Sequence, residues 1–396
     1  MTRTLLPPER LLRLLVLASG DVVHTRRWVT FFRSRGHEVK LATLEPSPER
    51  DLDETILPSV IRKPMILRYS LAVPALVRLV RAYGPDLVSA HYVPGYGFLA
   101  ALAPEARPLA VSCWGSDLLV NAGRSPLHRF RAALVLRAGS LFTCDACVLA
   151  DKLTRMGVDR RKIICSPLGI EKDIFFPGVS APEPPSARRG GPGRPVNIIS
   201  TRRLEPVYCV DTLLRASLLL REEGWNFRLI VAGDGSQRPA LEHFSGSYSP
   251  DGHLSEFIGW LPPERMADSL RASDIYVSCS RSDGASVSLL EALACGAFPV
   301  VSDIPGNREW IQDGVNGLLF PAGDFGRLSE CLARAMTDCE LRRKARERNF
   351  RLIEERALWE RNMQAVEEKF IALVEQTQAV NRSRGRQNGQ KPVERS

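Results

Sequence analysis

Short apolar runs recur along this chain, each followed by a stretch of helical periodicity. In the first half they fall at Leu11–Ser19, Glu38–Thr43, Asp86–Ala90, Leu109–Cys113 and Ala146–Ala150. A helix is predicted at about His24–Arg35, with Gly36-His37 turning the chain into the second run. Apolar strands alternating with helices predict a parallel α/β sheet. Residues 178–194, rich in Pro and Gly and lacking an apolar face, read as a linker. The alternation then restarts with strands at Val196–Ser200, Phe227–Ala232, Phe257–Ile258, Ile275–Cys279 and Phe298–Ser302, and a helix at Val210–Glu223. Two sheets joined by a linker predict a two-domain α/β body with a cleft between the domains. Ligands of open parallel sheets sit at the C-terminal strand ends, so the cleft is the expected site.

These patterns set the boundaries: an N-terminal α/β domain over 1–177, the linker over 178–194 and a second α/β domain over 195–345. A C-terminal helix over 346–375 and a disordered tail over 376–396 complete the chain. Residues 340–375 read as one charged helix with an apolar stripe of Leu352, Leu358, Met363, Val366, Phe370 and Leu373. The tail is polar and rich in Arg, Gly and Gln.

Composition narrows the class. The chain has 396 residues, 44% hydrophobic and 25% charged, with a formal charge of +9. It is a globular composition long enough for two cores, with a basic surplus suited to an anionic partner. No apolar run reaches the ~20 residues of a spanning helix. The opening residues resemble a signal peptide, but Arg13 splits the apolar run and Asp21 follows it, so a first buried strand is the better reading. Nine scattered cysteines point to reduced thiols and a cytoplasmic protein. Cys144 and Cys147 form a lone CxxC, read as core packing rather than zinc or redox chemistry.

The chemistry concentrates in residues 280–296, SRSDGASVSLLEALACG. A strand leads through a loop into a helix predicted to begin near Ala285. Leu289, Leu290, Leu293 and Ala294 form its buried face, and Gly296 its left-handed cap. The free N–H groups of such a helix start bind phosphate. Asp283 precedes that end and Glu291 lies about two turns inside, roughly 12 Å apart at ~1.5 Å per residue. That span suits a sugar–diphosphate–ribose unit, with phosphates over the helix end and a carboxylate on each side. Taken singly, Asp283 reads as an N-cap and Glu291 as a solvated helix residue.

This segment resembles the Glu–seven residues–Glu signature of family-four retaining glycosyltransferases, with Asp283 replacing the first Glu. Further stretches resemble that family in the right order: GHEVKLAT (36–43), DLVSAHYVPG (86–95), VSCWGSDLL (111–119), SPLGIEKDIFFPG (166–178), STRRLEP (200–206), VAGDGSQRPALE (231–242) and SDIPGNREWIQDGVNGLLF (302–320). The resemblance implies a GT-B fold: two Rossmann-like domains facing across a cleft, with a C-terminal helix crossing back. It implies that Arg203 pairs with the donor diphosphate and that Glu291 takes the ribose. Asp283, with the backbone at Gly284, Ala285 and Ser286, would hold the sugar. His91 would sit opposite the reacting carbon, and Asp117 at the N-domain rim would orient the acceptor or a catalytic partner. Gly20, and Gly233 in the Gly-Asp-Gly stretch, would allow close backbone approach to the donor. The implied reaction needs no metal and no cofactor, the nucleotide sugar being a substrate.

Departures leave alternatives open. Tyr208 stands where the family usually has a second phosphate-binding Lys, and Arg202, His24, Arg26 or Arg27 are candidates to compensate. Ser89 replaces a frequent His. Asp51-Leu-Asp53 is a DxD motif with no strand leading into it, expected to be a chance match. Leu127–Leu141 is a basic amphipathic stretch, read as a helix covering the sheet or as an anionic-membrane contact. Trp260 reads equally as a base-flanking or a core aromatic. His24, Arg26, Arg27 and Trp28 read as an anion or acceptor site, or as a basic surface. The expected partners are a UDP- or GDP-sugar donor and a glycan, lipid-linked or small-molecule acceptor, with peripheral contact at the inner membrane face and no nucleic acid. A nucleotide-sugar epimerase and an inactive nucleotide-sugar-binding relative are the alternative functions.

Overall fold

The computed structural model describes residues 8–47, 52–58, 65–121, 123, 125–178, 194–248 and 254–388. The chain forms two compact units: Met1–Ser166 with Met363–Ser396, and Pro167–Asn362.

The first unit carries a seven-stranded sheet: β1 (Arg13–Leu17), β2 (Glu38–Thr43), β3 (Glu54–Ile56), β4 (Leu87–His91), β5 (Leu109–Cys113), β6 (Leu141–Cys144) and β7 (Ile163–Cys165). The order is β3-β2-β1-β4-β5-β6-β7, and every pairing is parallel. Central strands are apolar on both faces because helices cover both; Leu14, Leu15, Val16 and Leu17 are all fully buried. The second unit repeats the plan with β8 (Val196–Ser200), β9 (Phe227–Ala232), β10 (Glu256–Gly259), β11 (Ile275–Ser278), β12 (Phe298–Ser302) and β13 (Leu318–Phe320), ordered β10-β9-β8-β11-β12-β13. In each sheet the strand order reverses at one place, between β1 and β4 and between β8 and β11. Such reversals open a crevice at the C-terminal strand ends.

Three sequence expectations need correction. Ala146–Ala150 is not a strand: β6 lies just before it, and the run opens the helix Cys147–Arg155. Leu149, Ala150 and Leu153 are its buried face, and so short an apolar run fits either period. The charged C-terminal helix is two helices, Cys339–Arg356 and Trp359–Asn388. Between them the backbone pairs with Ile170, whose N–H donates to Ala357 O at 2.8 Å and whose O accepts from Trp359 N at 2.9 Å. The second helix also runs past Gln376, where a disordered tail was expected, to Asn388. Gln, Ala and Arg are good helix formers, and polarity alone does not end a helix. Residues 389–396, and 179–193 of the expected linker, lie outside the described residues.

That last helix packs within the first unit. Phe370 stacks on Phe32 at 5.5 Å with the rings 5° from parallel, and Met363 and Val366 are buried beside it. Glu367, also buried, takes Arg35 Nη2 at 2.8 Å and His37 Nε2 at 2.8 Å.

Candidate functional site

In the second unit the chain leaves β11 through Cys279–Ala285 and enters the helix Val287–Cys295, with Ser286 at the N-cap and Gly296 left-handed (φ 89°) at the C-cap. Asp283 Oδ1 accepts the Gly284 N–H at 3.1 Å, curling the loop back on itself. The turn at Pro305–Arg308 supports this loop: a Cβ on Gly306 would lie 2.3 Å from Gly284 O. No side chain caps the helix start.

The Ser286 hydroxyl instead accepts from Arg202 Nη1 at 2.5 Å, and Ser288 Oγ accepts from the same nitrogen at 2.7 Å. Arg202 Nη2 donates to Asp283 Oδ2 at 2.6 Å. The guanidinium lies 4.2 Å from the centre of the Tyr208 ring, an attractive cation–aromatic contact. Arg202 leaves β8 and is only 8% exposed. Burial pulls its pKa down, but Asp283, Tyr276 and Tyr208 outweigh that and raise it. Tyr276 donates to Ser288 Oγ at 3.1 Å, completing the network.

Arg203, the predicted diphosphate partner, has an exposed side chain, 76% accessible and 3.9 Å from Glu205, whereas its neighbour Arg202 is held at the helix start. The helix end is served by Arg202, and Tyr208, where the family carries a Lys, stacks on it. The sequence held both arginines; consecutive residues on an extended segment point oppositely, and nothing local says which turns in. Glu291 lies half-buried in the same helix, Ala285 is buried, and Gly284 is buried against the Gly306 turn. Gly233 (φ 146°) has another reason to be glycine: a Cβ there would lie 2.5 Å from Arg202 O. It keeps the β9 exit tight against the Arg202 loop.

In the first unit, His91 ends β4 and is buried, with neither ring nitrogen hydrogen-bonded. Trp28 meets it edge-on at 4.9 Å and Trp114 lies at 5.1 Å. Burial, and then the neighbouring His24, lower its pKa to about 3, so the ring is neutral. His24, 5.0 Å from Trp114, is lowered to about 4 by burial and by Arg27. Asp117 is not at the rim. It is fully buried and accepts the N–H groups of Val93, Trp114 and Leu118 at 3.2, 3.1 and 3.0 Å. Burial raises its pKa to about 6 against the pull of these bonds. Its role here is to tie the turn after β5 to the segment after β4. Gly20 follows β1, donating to Glu45 O at 2.7 Å; a Cβ there would meet Glu54 Oε2 at 2.5 Å and Ser47 N at 2.7 Å. The atoms crowding it belong to the loop after β2 and to β3. Ser89 is buried in β4.

The remaining candidates divide. Trp260 is 68% exposed, so it is no core aromatic. Trp28 is core, packed on Phe32 and Phe370. Leu127–Leu141 gives the helix Pro126–Ala138, with Leu127 and Phe130 exposed. Cys144 is buried, whereas Cys147 is exposed with its sulfur 3.2 Å from that of Cys165, a pairing the CxxC spacing hid. Asp51 lies outside the described residues, and Asp53 sits alone in a left-handed conformation (φ 46°). Among the described residues no group of three or more His, Cys, Asp or Glu side chains could hold a metal, and no helix is long and apolar enough to cross a membrane.

Comparison with known proteins agrees on both units. The family described as "Glycosyl transferases group 1" matches residues 187–351, and "Glycosyl transferase 4-like" matches residues 13–146. A D-inositol 3-phosphate glycosyltransferase of Nocardia farcinica is 30% identical over 46% of this chain and 41% of its own length. The putative colanic acid biosynthesis glycosyltransferase WcaL of Escherichia coli is 29% identical over 63% of this chain and 61% of its own. The chain thus spans less than two thirds of these relatives. Anabaena HepE, in complex with UDP-glucose, superposes with a TM-score of 0.75 at 15% identity, covering 91% of this chain and 100% of that one. WaaG, a glycosyltransferase involved in lipopolysaccharide biosynthesis, gives a TM-score of 0.68 at 15% identity over 89% and 98%. With matched segments in both units and a shared two-sheet GT-B fold, the chain belongs to the group 1 glycosyltransferases, of the family-four type.

Proposed function

We propose that this protein is a retaining glycosyltransferase that moves a sugar from a UDP- or GDP-sugar to a glycan, lipid-linked or small-molecule acceptor. The observation that carries the reading is the uncapped helix start at Ser286, with the Arg202 guanidinium and the Asp283 carboxylate held against it. Residues 167–362 form the donor unit, and 1–166 with the final helix the acceptor side. The diphosphate is met by helix N–H groups and Arg202 rather than by a metal, and no cofactor is needed. Asp283 and the Gly284–Ser286 backbone hold the sugar, and Glu291 the ribose. The bond from the anomeric carbon to the diphosphate breaks, the acceptor oxygen bonds on the face that bond left, and the acceptor's hydroxyl proton passes to the departing diphosphate oxygen. Charge growing on the leaving diphosphate is stabilised by groups already in place. His91, a neutral ring with two unmet nitrogens, meets sugar hydroxyls across from the reacting carbon; Gly20 lets β1 end close to the donor. The UDP-glucose complex of HepE supports a uridine nucleotide, and the exposed Leu127 and Phe130 support peripheral membrane contact.

Tyr208 in place of a Lys favours one other reading, a relative that binds nucleotide sugars without transferring them. A thermal-shift panel of nucleotide sugars, followed by product assays with the responding donor, separates the two. Stabilisation by a UDP- or GDP-sugar and acceptor-dependent product, both lost in Glu291→Ala, support transfer. Binding without product supports the inactive relative, and a flat panel sinks both.

A further inference from the structure

Arg131, on the helix Pro126–Ala138, is 5% exposed. Its guanidinium lies 4.7 Å from the centre of the Phe98 ring. Neither Nε nor Nη2 has a hydrogen-bond partner, and both are closed to solvent. Those two nitrogens form one edge of the guanidinium, and their N–H bonds run parallel. That edge takes two oxygens of a single oxyanion. A buried cation with such an edge unmet is costly unless something fills it.

None of the described residues fills it. Glu45, the carboxylate that acts on the neighbouring Tyr69, is engaged by Arg68 and by the Tyr96 hydroxyl. Tyr69 is buried close enough for the Arg131 charge to act on its phenol. Its hydroxyl lies against Gly95, where a Cβ would come within 3.0 Å. Tyr92, which also acts on Tyr69, has the left-handed φ of 72° that a bulky residue seldom adopts. Strain of this kind persists where surrounding structure enforces it, and it clusters at ligand sites. Tyr92 directly follows His91, so the cluster stands at the C-terminal end of β4, beside the sheet reversal.

We propose that Arg131 receives a phosphate group carried by the acceptor, with Tyr69 beside it. This rests on the reading above that the first unit holds the acceptor. The phosphate belongs to a soluble phosphate ester or to a phospholipid-type carrier; the chemistry at Arg131 is the same. Entry requires a local opening, since water does not reach the unmet edge.

The test compares the full-length protein with Arg131→Met and Arg131→Lys. Melting temperature is measured with inorganic phosphate and with chloride at equal ionic strength. Phosphate raises the wild-type midpoint by a few degrees beyond chloride. That gain is absent in Arg131→Met and reduced in Arg131→Lys, which keeps the charge but loses the fork. Without phosphate, Arg131→Met melts at or above the wild type, because an unmet buried charge has gone. An equal phosphate gain in wild type and Arg131→Met overturns the proposal, as does no gain in the wild type. Arg131-dependent sedimentation with phosphatidylglycerol but not phosphatidylcholine vesicles assigns the phosphate to a lipid; a phosphate gain without vesicle binding assigns it to a soluble ester. A UDP arm keeps the two readings separable: loss of the UDP response with the Arg131-dependent phosphate gain intact strikes only the donor assignment.

Discussion

Arg202 and Asp283 form an ion pair, 2.6 Å from Nη2 to Oδ2, at a helix start that no side chain caps. The other arm of the guanidinium holds the Ser286 and Ser288 hydroxyls. One cation therefore fixes a carboxylate and two first-turn hydroxyls together, and the pair is largely shielded from water. Asp283→Ala removes the counter-charge and strands Arg202. The expected cost is about 3 kcal/mol, the low end for breaking a buried pair, read as a lower urea midpoint. No change in midpoint would show the pair to be energetically idle.

Arg202→Lys keeps the charge but not the fork that reaches both sides. Nucleotide-sugar affinity is expected to fall by roughly tenfold to a hundredfold, the loss of about 1.4–2.8 kcal/mol. Arg203→Ala, altering an exposed side chain, is expected to leave affinity within about twofold. Calorimetric titration of both variants distinguishes the adjacent arginines; the reverse ranking would return the diphosphate to Arg203.

His91 gives a pH dependence with a definite sign. Its pKa is about 3 in the folded protein against an ordinary 6.5. The unfolded chain therefore binds the proton first as pH falls. The stability from burying a neutral His91 is complete above pH 6.5 and drains away as pH drops toward 3, by about 1 kcal/mol per pH unit. Asp117 acts oppositely: with its pKa raised from 3.8 to about 6, its contribution is present below pH 4 and lost as pH rises through 6. Urea midpoints between pH 7 and 4 should fall less steeply for His91→Phe than for wild type. Parallel curves would mean that His91 takes up its proton in the folded state.

Glu367 anchors the last helix within the first unit by accepting from both Arg35 and His37. Glu367→Ala leaves Arg35 buried without that carboxylate, at an expected cost of about 3–5 kcal/mol. Limited proteolysis should then cut within residues 363–388 well before the wild type is cleaved there. An unchanged digestion pattern would place the anchoring in Phe370 and its ring contacts instead.

The sheets were readable where apolar runs were long enough to allow one period only. Phe227–Ala232 and Phe298–Ser302 are strands over the bounds the pattern suggests. Glu54–Ile56, Ile163–Cys165 and Leu318–Phe320 escaped because three residues carry no periodicity, and all three lie at sheet edges. In the site, the helix itself was legible because helix geometry is local, but it begins at Val287 rather than near Ala285, so Asp283 lies in the loop before it and Glu291 just over one turn inside. The choice between Arg202 and Arg203 depends on Tyr208 and Ser286, which only the assembled fold brings near. The unmet edge of Arg131 is invisible for the same reason: absence of a partner is a property of the whole neighbourhood.

The contact between Gly306 and Gly284 makes a carboxylate's position depend on a residue far along the chain. The hydrogen that Gly306 carries in place of a methyl is what lets two backbones nest, leaving the Asp283 loop no slack on that side. A side chain at position 306 is thus closed off by geometry, even though the residue itself offers no functional group to any ligand.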